Sequence, residues 1–512
     1  MKLRRIGKRV FGRRLIYTML LIALQAFILF YAVSEASIFT PVQIGFMAAS
    51  IFVAFWLMKK YENPAYKMSW VIIILILPVF GVLLFLLFGN KAAGRPIIKQ
   101  LEESTYRGET TAIAQPKKDA DALAAESLSA ARTAQYLYST TGMPVYQNTQ
   151  TEYLPSGEAY FARLKQELEK AQRFIFIEMF IIQEGEMWNA ILDILYEKAC
   201  SGVDVRVLYD DLGCIKTLPR DYHHYLKSIG IDCAVFNPMV PLLSIRHNNR
   251  DHRKIIVIDG EVGFTGGINF ADEYINKIPR FGHWVDCGIM LRGRAVRSMT
   301  VTFLATWDFL RKQKTDDAGK YFGRCDDPDA PGWCIPYSEN PYTRGDVAMN
   351  VYLNMINKAE NYLYIATPYL VLDFTLHQAL CTAAQSGVDV RILFPGIPDK
   401  KLTYLLGQDY FPTLIAAGVK IYLYTPGFVH SKLMVSDDKT AVVGTINLDF
   451  RSLFLHFENA VWMYRTPAVC DIKQDFLKRL PQCHLVNETD LKNDPWYKKV
   501  VRTVVSPFGP LL

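Results

Sequence analysis

One hexapeptide occurs twice in this chain. Ser201-Gly-Val-Asp-Val-Arg206 returns letter for letter as Ser386-Gly-Val-Asp-Val-Arg391, so the chain carries a duplication and must build two similar units. The repeat runs well beyond six residues. His252, Lys254 and Asp259 in the first copy match His430, Lys432 and Asp437 in the second, and Gly266 and Asn269 match Gly444 and Asn447, all at one separation of 178 residues. Between each Lys and Asp lies a short run, Ile255-Ile-Val-Ile258 or Leu433-Met-Val-Ser436, of the kind a buried strand needs. A lone His-x-Lys-x4-Asp pattern arises by accident. Two in register within a duplicated fold are a strong signal.

Through both copies, short β-rich runs alternate with helical runs, as in α/β domains. Phe174–Glu178 and Val203–Leu208 read as strands around a helix at Trp188–Cys200. Tyr362–Ala366, a helical stretch through Ala384 and Val388–Leu393 repeat that order. The expected fold is two α/β sandwich halves, 151–330 and 331–512, each a mixed sheet flanked by helices, with the active site between them. Residues 91–150 are polar, with an Ala-rich helical stretch at Asp119–Leu137, and read as a connector.

Residues 1–90 have a different character. Seven Lys and Arg fall within the first fourteen residues, and the other 498 positions are formally neutral, with 50 basic and 50 acidic residues. A basic arm on a neutral body suits an anionic membrane surface, whereas a nucleic-acid-binding body would carry its own basic excess. Three uncharged apolar runs follow, at 15–33, 41–58 and 69–88, each about long enough to cross a bilayer. They predict a multi-pass anchor. The first run is too long for the core of a cleaved signal peptide, and three such helices would be hard to bury in a soluble fold. The basic arm and Lys59, Lys60 and Lys67 belong on the cytoplasmic side, so three full spans place the body outside; Pro78 and Gly81 allow a re-entrant third run, which reverses that answer. Nine scattered cysteines show no C-x-x-C pair and no zinc spacing. Cys325 and Cys334 flank a loop and could pair in an oxidising space, although lone buried thiols are the commoner case.

The paired motifs are those of the phospholipase D superfamily, and their flanks resemble bacterial cardiolipin synthases. Asn249-Arg-Asp-His-Arg-Lys-Ile-Ile-Val-Ile-Asp-Gly260 with Gly266–Tyr274 resembles the first half of that family; Val443–Ser452 with Phe457-Glu458 resembles the second. The apolar N-terminus and the closing Ser506-Pro507…Leu511-Leu512 extend the resemblance over essentially the whole chain. Two departures stand out. His456 occupies a place where the family usually has Asn, and three apolar runs appear where two are common.

In a strand, residues i and i+2 share a face, so each His projects together with its Lys. Two imidazoles and two ammoniums meeting in one cleft suit an anionic phosphodiester, with Lys and the amides of Asn269 and Asn447 as donors to its oxygens. A neutral imidazole can attack phosphorus while a protonated one hands a proton to the leaving alkoxide. The resemblance implies His252 as nucleophile and His430 as acid, with Asp286 orienting His252 and Glu458 orienting His430. Asp259 and Asp437 complete the motifs, at the far ends of their strands, with structural ion-pairing expected of them. The resemblance implies phosphatidyl transfer between two phosphatidylglycerol molecules, giving cardiolipin and glycerol, with no metal or organic cofactor, no nucleic-acid partner and a bacterial cell-membrane location. The alternatives are a hydrolytic phospholipase D, another phosphodiesterase of the superfamily, and a non-catalytic scaffold.

Overall fold

Seven strands of the first half form one mixed sheet: β1 (Thr149–Leu154), β2 (Phe174–Met179), β3 (Asp204–Asp210), β4 (Asp232–Phe236), β5 (Ile255–Ile258), β6 (Val262–Gly266) and, after the short β7 (His283–Val285), β8 (Gly288–Gly293). Their order is β1-β8-β6-β5-β2-β3-β4. The second half repeats it with β9 (Trp333–Glu339), β10 (Tyr362–Ala366), β11 (Asp389–Pro395), β12 (Lys420–Tyr424), the short β13 (Gly427–Val429), β14 (Leu433–Ser436), β15 (Thr440–Gly444) and β16 (Glu458–Tyr464). Their order is β9-β16-β15-β14-β10-β11-β12, and β17 (Cys483–Leu485) is added beyond β12. In both sheets the three strands joined through helices are parallel, and the hairpin-connected strands are antiparallel. The computed structural model describes residues 19–21, 23–28, 30–31, 40–78, 80–89, 113–239, 248–324, 327, 329–341, 345–492 and 494–511.

Alternation along the motif strands explains why the halves stay together. Ile255 and Val257 of β5, with Leu433 and Val435 of β14, enter one apolar core that draws on both halves; Ile256, Ile258 and Met434 face the cores of their own halves. The helices Val296–Arg311 and Pro467–Arg479 contribute Phe303, Trp307, Ile472 and Phe476 to the shared core. The predicted connector is more than a tether. Its helices Lys117–Glu126 and Leu128–Thr141 bury Leu123, Ala134 and Leu137 in the core of the second half, beside Trp333 and Ile335 of β9.

Each motif strand ends in a tight turn to its neighbour. Asp259 and Gly260 have φ of 54° and 70°, and Asp437 and Asp438 have 56° and 55°, the left-handed pair that matches the twist of a hairpin.

The N-terminal region departs from the expectation of three membrane-crossing helices. Among the described residues no helix is long and apolar enough to cross a membrane. The run at 15–33 lies partly outside the described residues. The run at 41–58 falls in α1 (Thr40–Lys59), and the run at 69–88 is broken. It comprises the end of α2 (Pro64–Ile76), a turn at Leu77-Pro78, the short α3 (Phe80–Leu84) and a π turn, Phe85–Gly89. Proline has no backbone N–H, so Pro78 interrupts the helical ladder. Gly81 then lets α3 fold back, since a side chain there would meet the Ile73 carbonyl at 2.6 Å. The premise of three full spans, from which an outside location of the body followed, is not met by these helices. Cys334 is a free, buried thiol, and Cys325 lies outside the described residues.

Candidate active site

The two halves are stitched together on both sides of a local twofold. Parallel pairing of β7 with β13 sets Val285 opposite Val429, and an isolated parallel bridge sets Asp251 opposite Phe457. His430 N–H therefore donates to the Val285 carbonyl at 2.7 Å, and His252 N–H donates to the Phe457 carbonyl at 2.9 Å. One residue beyond each carbonyl stands a carboxylate. Each half thus hands its acid to the histidine of the other half.

This reverses the expected pairing. His252 Nδ1 lies 2.9 and 3.0 Å from the two oxygens of Glu458, and His430 Nδ1 lies 2.7 Å from Asp286 Oδ2. Asp286 does not serve His252, nor does Glu458 serve His430. Spacing along the chain could not reveal the exchange, because it is set by which backbone pairs with which across the interface. An ionised carboxylate only accepts, so each Nδ1 carries the hydrogen and each Nε2 keeps its lone pair.

The four motif side chains are buried, both carboxylates entirely so. Lys254 Nζ donates to the His252 carbonyl at 2.8 Å, and Lys432 Nζ donates to the His430 carbonyl, which leaves each ammonium two further donors. Burial and mutual repulsion make this cluster of bases reluctant to hold protons. Burial, followed by the charge of Lys432, pulls Lys254 down to about 7, and burial brings Lys432 to about 8. Burial and Lys432 lower His430 to about 4, and burial with Lys254 lowers His252 well below the ordinary imidazole value. A phosphodiester anion arriving here would relieve that repulsion.

The remaining predicted residues divide. Asn269 receives Ile181 N–H on its oxygen at 3.0 Å and donates to Tyr274 Oη at 2.6 Å; Asn447 donates to Ser452 Oγ at 3.0 Å. Each amide keeps one further N–H. Asp259 and Asp437 stand apart from the imidazoles, at the far ends of β5 and β14. Asp259 accepts from the backbone N–H groups of Gln172, Arg173 and Phe174, and Asp437 from those of Glu360, Asn361 and Tyr362. The expected ion-pairing is replaced by backbone capping, which clamps the entry of β2 and β10.

Several contributors escaped the sequence reading. The Thr445 hydroxyl donates to Glu458, whereas the equivalent position in the first half is Gly267, where a side chain would collide with Asp286. Phe180 packs edge-on against the His252 ring at 4.9 Å, and Tyr274 and Trp284 pack on His430 at 5.4 Å. Behind His252, Arg253 pairs with Asp251 at 2.9 Å and with Glu178 of β2 at 2.8 Å. Among the described residues, one group could hold a metal: His252, His456 and Glu458 bring ligand atoms within 4.8 Å of one another. Glu458 is already engaged by His252 and Thr445, so a metal there would compete with the hydrogen bond that orients the histidine.

A family model for the cardiolipin synthase, phospholipase D-like domain matches residues 164–278 and 352–480, over the two halves that carry these motifs. A cardiolipin synthase of Geobacillus thermodenitrificans is 35% identical over 90% of this chain and 92% of its own length. The chain belongs to the cardiolipin synthase family. A cardiolipin synthase 2 of Bacillus cereus is 31% identical over 91% of each chain, and an uncharacterized protein of Streptococcus mutans is 45% identical over 89% of this chain and 99% of its own. A phospholipase D-nuclease N-terminal model matches residues 48–90, from within α1 through α2 and α3. The crystal structure of a phosphatidylserine synthase from Haemophilus influenzae has the same fold, with a TM-score of 0.57 at 16% identity over 75% of this chain and 98% of that one. Family membership makes this a phospholipid phosphatidyltransferase.

Proposed function

We propose that this protein synthesises cardiolipin by phosphatidyl transfer from one phosphatidylglycerol to another through a covalent phosphatidyl-histidine. The observation that carries the reading is the crossed pair of His–carboxylate contacts, His252 with Glu458 and His430 with Asp286, beside two buried lysines. Two oriented imidazoles are what a two-step displacement needs: one to bond phosphorus and one to move the proton.

His252 is the nucleophile. Both oxygens of Glu458 hold its Nδ1, and its basicity is suppressed well below the ordinary value, so its Nε2 lone pair is available. Nε2 bonds phosphorus while the bond to the departing glycerol oxygen breaks. Lys254, Lys432 and the free amide hydrogens of Asn269 and Asn447 stabilise charge on the phosphoryl oxygens. The phosphodiester offsets the ammonium charges and so raises the proton affinity of His430, which takes up a proton from solvent and passes it to the glycerol alkoxide. In the second step His430 takes the hydroxyl proton of another phosphatidylglycerol. That oxygen bonds phosphorus, the N–P bond breaks, and cardiolipin leaves.

The substrate resides in a bilayer, and the hairpin of α1 and α2 is the element suited to reach it. Phe52, Phe55 and Trp56 are exposed on α1, and Met68, Leu75 and Ile76 on α2. We place the protein at the bacterial cell membrane on that basis. Purified protein incubated with phosphatidylglycerol should yield cardiolipin and free glycerol. Phosphatidic acid as the product would make it a hydrolase, and no turnover of any phosphodiester would make it a scaffold.

A further inference from the structure

Where the helical hairpin meets the catalytic body lies a cavity of about 220 Å³. α2 contributes Trp70 and Ile73 to its wall, the chain beyond the turn contributes Leu84 and Phe88, and the body contributes Leu455 and Asn248. Tyr66 and Leu511 complete the lining; the Asn248 amide donates to the Phe88 carbonyl at 3.0 Å and the Tyr66 hydroxyl to the Gly89 carbonyl at 3.1 Å, so both polar groups are turned to backbone. The C-terminus closes the junction, with Ser69 Oγ donating to the Pro507 carbonyl at 2.6 Å.

Two properties give this cavity a meaning. Its lining is mostly apolar, with the Asn248 and Tyr66 groups already bonded to backbone and the Trp70 indole N–H left without a partner among the described residues, and apolar cavities of about 150 Å³ already stay dry and take up hydrocarbon. Its position ties it to the chemistry. Leu455 is three residues before Glu458 and Asn248 four before His252, so both body residues sit on the loops that carry the first His–carboxylate pair. Three residues of extended chain span about 10 Å. The segment that forms the other wall also exposes apolar side chains, Leu75 and Ile76 of α2 and Leu86 of the π turn.

We propose that this cavity is an acyl-chain site, holding the first part of one fatty acyl chain of the phospholipid whose phosphate sits at His252. The proposal rests on the phosphatidyl-transfer reading and adds to it a place for the hydrocarbon. The hairpin is then a part of the substrate site as well as an attachment to the membrane. A chain held there fixes how far the phosphate can rise from the bilayer, and so delivers it to the two histidines.

The test uses the full-length protein in mixed micelles with phosphatidylglycerol carrying a photoactivatable diazirine near the glycerol end of one acyl chain. Irradiation and peptide mapping should place adducts on Trp70–Ile73, Leu84–Phe88 and Leu455. Leu84→Trp and Leu455→Trp fill the cavity from opposite walls, and each should remove those adducts while adducts on the outer face at Phe52–Phe55 persist. Both variants should also cut the preference for dipalmitoyl over dihexanoyl phosphatidylglycerol, read as a ratio of kcat/KM, by about tenfold, the worth of a few buried methylenes. Using a ratio cancels any loss of folded protein. Adducts confined to the outer face, or cavity adducts unchanged in both variants, would overturn the acyl site even if cardiolipin is made. Cavity adducts without cardiolipin would retain the site and remove the synthase reading instead.

Discussion

Glu458 and Asp286 differ by one methylene, and their surroundings are built to match. Glu458 spans both oxygens across His252 Nδ1 with Thr445 beside it; Asp286 reaches His430 through one oxygen and needs the space left by Gly267. The crossed pairing makes a directional prediction. Glu458→Gln should slow formation of the phosphatidyl-enzyme by about 10²–10⁴-fold, the usual worth of an oriented acid–base group. Asp286→Asn should slow glycerol release from phosphatidylglycerol to a similar degree, yet spare a p-nitrophenyl phosphodiester, whose leaving group needs no proton. Single-turnover kinetics with both substrates decide the matter, and the reverse pattern would exchange the roles of the two histidines. His456 offers a second residue-scale test. Activity should persist in EDTA, while added Zn²⁺ should inhibit by drawing His252, His456 and Glu458 into a metal site. Inhibition constants for the wild type and His456→Asn check this, and equal values would exclude His456 from the zinc site.

At the scale of elements, the aspartates of the paired motifs work through the backbone. Asp437 ends β14 in a left-handed turn and gathers three N–H groups at the start of β10, and Asp259 does the same for β2. Removing such an acceptor leaves several amides short of a partner, at a cost of about 1–3 kcal/mol for each one left buried. Asp437→Ala should therefore lower Tm by several degrees and leave kcat, per folded enzyme, within about threefold of wild type, because no step of the chemistry touches it. Calorimetry beside active-site-titrated kinetics would show it. A collapse of kcat at unchanged Tm would return Asp437 to the reaction.

For the whole molecule, the decisive quantity is the charge gathered where the halves meet. Lys254 and Lys432 hold their protons only up to about 7 and 8, while His430 stays neutral down to about 4. Binding and transition-state stabilisation need charged lysines, attack needs a neutral His252, and release of glycerol needs a proton on His430. The profile of kcat/KM, which reports the free enzyme, should therefore decline as pH rises above about 4 and steepen through about 7 to 8, where the lysines lose their charge. A rate still climbing at pH 9 would refute the lysine assignment. Stability should run the other way. A lysine whose folded pKa is depressed binds fewer protons in the native state than in the unfolded one between about 7 and its ordinary 10.5, so ΔG of unfolding gains from these groups as pH rises through that window. Thermal melts of wild type and Lys254→Met across pH 6 to 9 test this sign, with the difference in Tm between them shrinking as pH rises.

The amino-acid sequence determined the local chemistry by itself. The 178-residue repeat identified His252, Lys254, His430 and Lys432, and the short apolar runs Ile255–Ile258 and Leu433–Ser436 pointed to buried strands, because composition and motif spacing are written along one chain. The α/β order of each half followed from the same signals. Whatever depends on two distant segments meeting was decided by the tertiary structure. Glu458 belongs to His252 because Phe457 pairs with Asp251, and Asp286 belongs to His430 because Val285 pairs with Val429, a register no spacing encodes. The apolar run at 69–88 met the length criterion for a span, yet Pro78 breaks it and the room left by Gly81 lets it fold back on α2. Hydropathy counts apolar residues along the chain; where the chain turns, and which carboxylate reaches which imidazole, are settled by packing.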